Sequence, residues 1–130
     1  MGFDALADLI TWLRNTVHPI TGKSYWSHTV LLCTSDFART PRLNNRNGRD
    51  HHLASSFLVG GKGIKGNQVI GATDDDFNTT GIDLTTGASV GPNGWTVRPP
   101  DIHATLLEAI GLPWDHLENQ SPQLIQAMLK

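Results

Sequence analysis

A short apolar run followed at once by a long charged stretch constrains the fold of this chain more than any other feature. The run at residues 29–33 predicts a short buried strand. The stretch after it, residues 34–52, holds two aspartates, two adjacent histidines, four arginines and three asparagines. A packed core has no use for that mixture, whereas carboxylates and imidazoles bind metals and guanidinium groups bind phosphate or sulfate in bidentate fashion. The stretch therefore predicts a site for an anionic substrate, with or without a metal.

The composition describes an ordinary soluble protein of one domain. The chain has 130 residues, of which 38% are hydrophobic and 17% charged, so a single domain over residues 1–130 is expected. A formal net charge of −2 gives no reason to expect nucleic-acid binding. No apolar run approaches the roughly 20 residues of a membrane span, and residues 1–17 lack the basic start and apolar core of a secretory signal. The glycines and prolines concentrate between residues 60 and 100, which indicates a loop-rich second half.

The spacing of apolar residues predicts an α/β fold. Helical spacing indicates an opening helix over residues 3–17 and a later one that Asp101 caps and Gly111 ends. Ser121 and Pro122 would open a final helix. Apolar runs predict short strands at about residues 29–33, 56–60, 69–73 and 95–98. Strands that alternate with helices favour the α/β class, in which ligands collect at the carboxyl ends of strands.

Several conspicuous features are expected to carry no site. Cys33, the one cysteine, excludes an internal disulfide framework, and its place in the first predicted strand indicates a buried, inert thiol. The lysine–glycine run at 60–66 lacks the spacing of a nucleotide-binding P-loop. The acidic triplet at 74–76 lacks the alternating ligands of a calcium loop. His103 follows the start of a predicted helix, where a surface position is expected.

Five residues of the charged stretch are the candidate catalytic and binding residues. Asp36 and His51 are the candidate metal ligands, with zinc the expected ion, and Asp50 either joins them or orients His51 through a hydrogen bond. Arg39 and Arg49 are the candidate contacts to the anion and its transition state. Neighbouring side chains of an extended chain point to opposite sides, so one of the two adjacent histidines would face the site. The open alternatives are an Asp36–Arg39 salt bridge, a turn role for Asp50, and solvated arginines that contribute little.

Four blocks of sequence carry a family resemblance. In chain order they are TSDFARTPR at 34–42, GRDH at 48–51, GGKGIKGNQVIGAT at 60–73 and PDIHATLLEAIGL at 100–112. The series resembles the carboxyl-terminal part of an uncharacterised sulfatase-like family, usually exported, of the alkaline phosphatase superfamily. This resemblance covers nearly the whole chain. It implies a partial α/β core with a short, mainly parallel sheet flanked by helices, and a site at the strand ends.

The same resemblance implies roles for particular residues. In catalytic members of the superfamily, an Asp-His pair after a late strand and a further His downstream bind metal. Asp36 matches the Asp of that pair and His51 lies near the later His, but Phe37 stands where the paired His is expected. Those members carry the nucleophile and further metal ligands in an amino-terminal half, which has no counterpart in this sequence. The chain would thus correspond to the carboxyl-terminal segment of a larger domain.

Two functions from different classes follow from these expectations. The first is a metal-dependent hydrolase module for phosphate or sulfate esters, completed by a second subunit or by an amino-terminal partner. The second is a non-catalytic remnant that binds an anion or a partner and self-associates, most simply as a dimer, to cover strand edges and apolar faces. Hydrolysis by Ser35 or Ser55 with His51 is a third option, although neither serine lies in a nucleophile-elbow sequence.

Overall fold

Residues 2–130, which a computed structural model describes, form two α-helices and six short strands, and all six strands lie between the two α-helices. The predicted alternation of strands and helices is therefore absent, but the combination of helices and short strands is consistent with the predicted α/β class. The helices are α1 (Gly2–Asn15) and α2 (Pro99–Ile110), and the shorter 3-10 helices are Tyr25–His28, Asp115–Gln120 and Gln126–Met128. The strands are β1 (Val30–Cys33), β2 (Ala38–Arg39), β3 (His51–His52), β4 (Leu58–Gly61), β5 (Gly81–Ile82) and β6 (Ser89–Gly91).

These six strands pair as three separate antiparallel ribbons, so the predicted parallel sheet is wrong. β1 pairs with β4, β2 with β3, and β5 with β6. Parallel strands need a long crossover connection, usually a helix. The chain between β1 and β4 instead folds back on itself as the β2–β3 ribbon, and β4 therefore returns antiparallel to β1. The positions of β1 and β4 agree with the predicted strands, and their direction does not.

The first strand is less buried than its apolar sequence suggested. Val30 and Leu31 are half-buried, whereas Leu32 and Cys33 are exposed. The prediction of a buried Cys33 thiol is therefore wrong. The reason is that β1 belongs to a ribbon of two strands, which covers only one edge of each strand and leaves the Cys33 thiol exposed.

The loop-rich second half is confirmed, although its strands lie elsewhere than predicted. The strands expected at 69–73 and 95–98 are reduced to isolated bridges, Thr73 with Thr79 and Ile82 with Trp95. The short ribbon of β5 and β6 lies between them, in a segment whose sequence suggested only an irregular excursion. The tertiary context, rather than local strand propensity, therefore determines where the strands of this segment form.

Helix α2 begins three residues earlier than predicted, at Pro99, because Arg98 rather than Asp101 is its N-cap. Asp101 is therefore its third residue rather than its N-cap, and its Oδ2 accepts the backbone N–H of Arg98 at 2.8 Å. Proline suits the first helical positions because its missing N–H would have no partner there. The predicted end is confirmed, since Gly111 has a left-handed φ of 78° and donates its N–H to the Glu108 carbonyl.

The final helix predicted after residue 121 does not form. The N–H of Gln123 donates to Asp101 Oδ1 at 2.7 Å, and the N–H of Ile125 donates to Thr105 Oγ1 at 2.9 Å. The Ile125 N–H would otherwise donate to a carbonyl one helical turn earlier, and Thr105 takes it instead. The Gln123 N–H would lie in the first turn, where a helix offers it no carbonyl. The segment runs along α2 as an irregular strap between two 3-10 helices.

The core lies where this strap meets β5 and α2. Half-buried side chains between β4 and α2 pack against its buried residues, which are Ile82, Ile125, Ala127 and Met128. Helix α1 forms as predicted but buries only Leu13, while Phe3 at its start is 81% exposed. Much of its apolar face is therefore uncovered. None of the helices in residues 2–130 has the length and apolar character that a membrane span requires.

Candidate functional site

The β2–β3 ribbon gathers three of the candidate residues on one face. Arg39 lies directly opposite His51, and the pairing continues through the Thr40 N–H, which donates to the Asp50 carbonyl at 3.0 Å. Residues two apart in an extended chain share a face, so Arg49 is placed beside His51. We call Arg39, Arg49 and His51 the arginine face. The adjacent histidine, His52, lies on the opposite face by the same alternation.

Both guanidinium groups of the arginine face are held by backbone carbonyls. Arg39 Nη1 donates to the Arg49 carbonyl at 3.0 Å. Arg49 Nη1 donates to the carbonyls of Thr40 and Pro41 at 3.0 and 2.7 Å. A guanidinium group has five N–H donors, so each of these keeps donors for a ligand. The two positive charges are thereby fixed across one ribbon rather than free on long side chains.

Phe37 packs against two residues of the arginine face, His51 and Arg39. Its ring stacks on the His51 imidazole, with 3.7 Å between ring centres and 18° between ring planes. The Arg39 Cζ lies 4.7 Å from the Phe37 ring centre, a cation–π contact. Phe37 stands where the family resemblance expects a histidine, and the structure gives it a packing role there.

Asp36 is exposed and engaged within its own turn. Its Oδ1 accepts the Phe37 N–H at 3.0 Å and the Ser35 hydroxyl at 3.4 Å. The alternative of an Asp36–Arg39 salt bridge is wrong, because Arg39 makes no ion pair within residues 2–130. None of the four arginines of residues 34–52 pairs with a carboxylate anywhere in the part of the chain that the structure describes. The arginine face is therefore not neutralised by these acidic side chains.

Asp50 is directed into the loop that closes the ribbon. Its Oδ1 accepts the Asn44 Nδ2 hydrogen at 2.8 Å, and Asn44 Oδ1 in turn accepts the N–H groups of Arg46 and Gly48 at 2.9 and 3.0 Å. This is the turn role that the sequence left open. No hydrogen bond joins Asp50 to His51 within residues 2–130, so Asp50 does not orient that imidazole.

The candidate metal ligands do not form a cluster of three. Within residues 2–130, no group of three or more His, Cys, Asp or Glu side chains lies close enough to hold a metal ion. Asp36 and His51 are linked through Phe37, by its N–H and by its ring. Any metal at this place would draw its other ligands from water or from another chain. Zinc binding stays a prediction.

The arginine face is an open surface rather than a pocket. A depression of about 220 Å³ lies on the other side of the ribbon, lined by Thr40, Pro41, Arg42, His52, Asp75 and Asp76. A larger one of about 540 Å³ lies beside β4 and is lined by Leu58, Val59, Asn67, Gln68 and Val69. Arg39, Arg49 and His51 are all exposed, so a ligand on the arginine face would be held by charge and hydrogen bonds rather than by enclosure.

Sequence reasoning missed the residue that shapes this ribbon most, Thr40. Its hydroxyl accepts the Asp50 N–H at 3.1 Å and donates to the Arg42 carbonyl at 3.0 Å. No signal in the sequence singled it out. A turn marked by Asn44 and Gly48 would by itself put Thr40 opposite His52, whereas the observed register, in which Arg39 pairs with His51, puts it opposite Asp50.

Comparison with known proteins gives one result. A family model described as "Protein of unknown function (DUF1501)" matches residues 15–122, which include the ribbon, the glycine-rich segment and α2. Neither the curated proteins nor the solved structures returned a match. The matched segment covers most of the chain, and the chain therefore belongs to the DUF1501 family.

Proposed function

We propose that the arginine face binds the phosphate or sulfate group of a small anionic ester. The observation that carries this proposal is that Arg39, Arg49 and His51 share one face and that no carboxylate of residues 2–130 neutralises the two arginines. Hydrogen bonds from a guanidinium to an anion are charge-assisted and roughly twice as strong as neutral ones. Backbone carbonyls already hold both groups, so less conformational entropy is lost when the anion binds.

The finer proposal is hydrolysis of that ester, as the resemblance to the alkaline phosphatase superfamily implies. Asp36 and His51 would hold a zinc ion, and the zinc would supply hydroxide or polarise the ester. The two arginines would stabilise the charge that develops on the ester group. Contact of both ligands with Phe37 supports this arrangement. The missing ligands and the nucleophile would come from a second subunit or from an amino-terminal partner.

The competing proposal is a non-catalytic module that binds anions and self-associates as a dimer. Large apolar side chains that are more than 80% exposed support it, namely Phe3, Ile20, Leu53 and Val69. The β1–β4 ribbon also leaves an outer edge on each strand. We expect light scattering to give twice the mass of one chain, because a dimer would cover part of this apolar surface. A monodisperse monomer at high protein concentration would contradict it.

Anion binding is tested by substitutions on the two sides of the ribbon. We expect Arg39→Gln and Arg49→Gln each to weaken binding of inorganic phosphate and sulfate about tenfold or more, the equivalent of one charge-assisted hydrogen bond. Arg42→Gln is the matched control, because it removes the same charge from the same ribbon on the side of the smaller depression. Chemical shifts of backbone amides followed during titration report both the affinity and the residues involved.

The same spectra separate loss of the anion from loss of the fold. Amide shifts away from residues 34–52 should match wild type in both variants, since each arginine holds carbonyls of this ribbon alone. Equal weakening by Arg42→Gln would mean that diffuse charge, and not the arginine face, attracts the anion. Absence of any shift with either anion would reject the proposal.

A further inference from the structure

Two exposed histidines lie side by side on α2 and on the 3-10 helix that follows it. The ring centres of His103 and His116 are 6.0 Å apart, with 76° between the ring planes. Neither ring makes a hydrogen bond or an ion pair with another group in residues 2–130. Both imidazoles therefore keep their nitrogen lone pairs for a ligand from solution.

Their separation suits one shared metal ion. Zinc–nitrogen distances are about 2.0–2.1 Å, which puts the ring centres of two imidazoles on one ion roughly 4.5 to 6 Å apart, depending on the angle at the metal. The observed 6.0 Å lies at the upper end of that range. Exposed side chains reorient at little cost, so small rotations of His103 and His116 suffice to turn both lone pairs towards one point.

The backbone beneath the pair is well anchored. Ala104 and Thr105, next to His103, are fully buried, and Leu117, next to His116, is 5% exposed. The turn between the two elements is tied by the Trp114 Nε1 hydrogen, which Glu108 accepts at 2.9 Å. Packing thus holds the backbone at His103 and His116 in place, as a preorganised pair of metal ligands requires.

A second pair of neighbouring histidines, His18 and His28, differs from His103 and His116 because its ring nitrogens are hydrogen-bonded. The ring centres of His18 and His28 are 5.6 Å apart. Here, however, His18 Nδ1 accepts the N–H groups of Ile20 and Thr21 at 3.3 and 3.4 Å, and His28 Nε2 is hydrogen-bonded to the Thr21 hydroxyl at 2.9 Å. A metal would have to displace these bonds. Proximity is similar in the two pairs, whereas the pair on α2 is unengaged within residues 2–130.

We propose that His103 and His116 form a two-histidine site for a divalent transition-metal ion, namely Cu²⁺, Ni²⁺ or Zn²⁺. Imidazole suits these ions, and affinity rises from Ni²⁺ to Cu²⁺. Water completes the coordination, since no third His, Cys, Asp or Glu of residues 2–130 joins the pair. The site is independent of the arginine face. It predicts that this protein carries metal for a reason unrelated to Asp36 and His51.

Copper alone is the probe for the test, with protein that carries no affinity tag. We expect one Cu²⁺ per chain by calorimetry and an electron paramagnetic resonance spectrum with two nitrogen ligands. His103→Gln and His116→Gln should each weaken binding about tenfold or more, because loss of a direct ligand costs at least as much as loss of a supporting partner. His28→Gln is the matched control and should leave the affinity unchanged.

His51→Ala, measured in the same series, separates this site from the arginine face. Retention of copper in His51→Ala, together with its loss in His103→Gln, supports the proposal. Loss in His51→Ala with retention in His103→Gln overturns it and assigns the metal to the arginine face. Unchanged affinity in both His103→Gln and His116→Gln also overturns it, as does the absence of binding to wild type.

Discussion

Asp101→Asn is expected to lower the free energy of unfolding by about 3 kcal/mol, because it disrupts a buried hydrogen-bonded charge. The Asp101 side chain is fully buried. Its Oδ2 accepts the Trp95 Nε1 hydrogen at 2.9 Å, the Arg98 N–H at 2.8 Å and the Arg98 Nε hydrogen at 3.3 Å. Its Oδ1 accepts the Gln123 N–H at 2.7 Å and an Arg98 Nη2 hydrogen at 3.1 Å. One carboxylate thus joins the start of α2 to the strap that follows it.

The size of this effect follows from the donors that asparagine leaves unpaired. Whichever way the amide is oriented, its NH₂ group faces at least two donors that the carboxylate had satisfied. The Arg98 side chain is 41% exposed, so water replaces part of that ion pair and its share is small. The N–H groups of Trp95 and Gln123 donate to the same buried carboxylate through part-buried hydrogen bonds. Each hydrogen bond to a buried charge contributes about 1.5–3 kcal/mol.

Urea unfolding followed by tryptophan fluorescence measures the loss. Asp75→Asn is the matched control, since Asp75 is exposed and makes no hydrogen bond within residues 2–130. It should change the free energy of unfolding by less than about 0.5 kcal/mol. A loss for Asp101→Asn that is no larger than the control's would show that the carboxylate does not hold the strap.

The same variant has a second readout in acid. Burial raises the pKa of Asp101, but hydrogen bonds from Arg98, Gln123 and Trp95 outweigh it and hold the pKa below the usual value. A lowered folded-state pKa contributes stability that is complete above the unfolded-state pKa, about 3.9, and is lost as pH falls through the folded-state pKa. Wild type should therefore lose stability below about pH 4 more steeply than Asp101→Asn does.

Two other aspartates, Asp74 and Asp83, also contribute to the pH dependence of stability, in wild type and in Asp101→Asn alike. Backbone N–H groups lower the pKa of Asp74, chiefly that of Asn78, and the pKa of Asp83, chiefly those of Thr86 and Thr85. Both carboxylates lie on the surface and are present in wild type and variant alike. The difference between the two pH curves therefore reports Asp101 alone.

Local patterns in the sequence predicted the elements that depend on neighbouring residues. Apolar residues at helical spacing predicted α1 and α2, and Gly111 predicted the end of α2, because each signal lies within a few residues of its effect. The predicted final helix, which does not form, shows that local patterns cannot predict an element whose hydrogen-bond partners are distant in sequence. Its amide protons are taken by Asp101 and Thr105, some 20 residues away in sequence, and no local pattern reveals such a partner.

The candidate site was predictable in composition and only partly in geometry. The mixture of charges in residues 34–52 pointed to Arg39, Arg49 and His51, and the ribbon places them together. The position of Asp50 relative to His51 depended on the alternation of side chains along the strand. Asp50 was grouped with His51 as its sequence neighbour, yet adjacent residues of a strand face opposite sides. A hairpin inferred from the turn residues Asn44 and Gly48 separates Asp50 from His51 by this alternation alone.

The glycine-rich segment at 60–66 provides the second large expected effect, a loss of about 3 kcal/mol in Gly63→Ala. Gly63 has a left-handed φ of 71°, and a Cβ atom there would overlap the Ala109 carbonyl group of α2. The adjacent Lys62 Nζ donates to the Ile110 carbonyl at 2.7 Å, and the N–H of Lys130 donates to the Gly63 carbonyl at 3.0 Å. An added methyl group would push α2 away from the segment that both bonds hold.

Gly66→Ala, three residues later, is the matched control for this packing argument. No atom lies within 4 Å of a Cβ built at Gly66, and its φ is outside the left-handed region. Its stability should be unchanged or slightly raised, because alanine reduces the conformational freedom of the unfolded chain. Urea unfolding of the two variants distinguishes a steric requirement for glycine at position 63 from a general requirement for glycine in the segment. Similar losses in both would mean that the segment needs flexibility, whereas a loss confined to Gly63→Ala would show that this glycine-rich motif exists to let the chain pack against the end of α2.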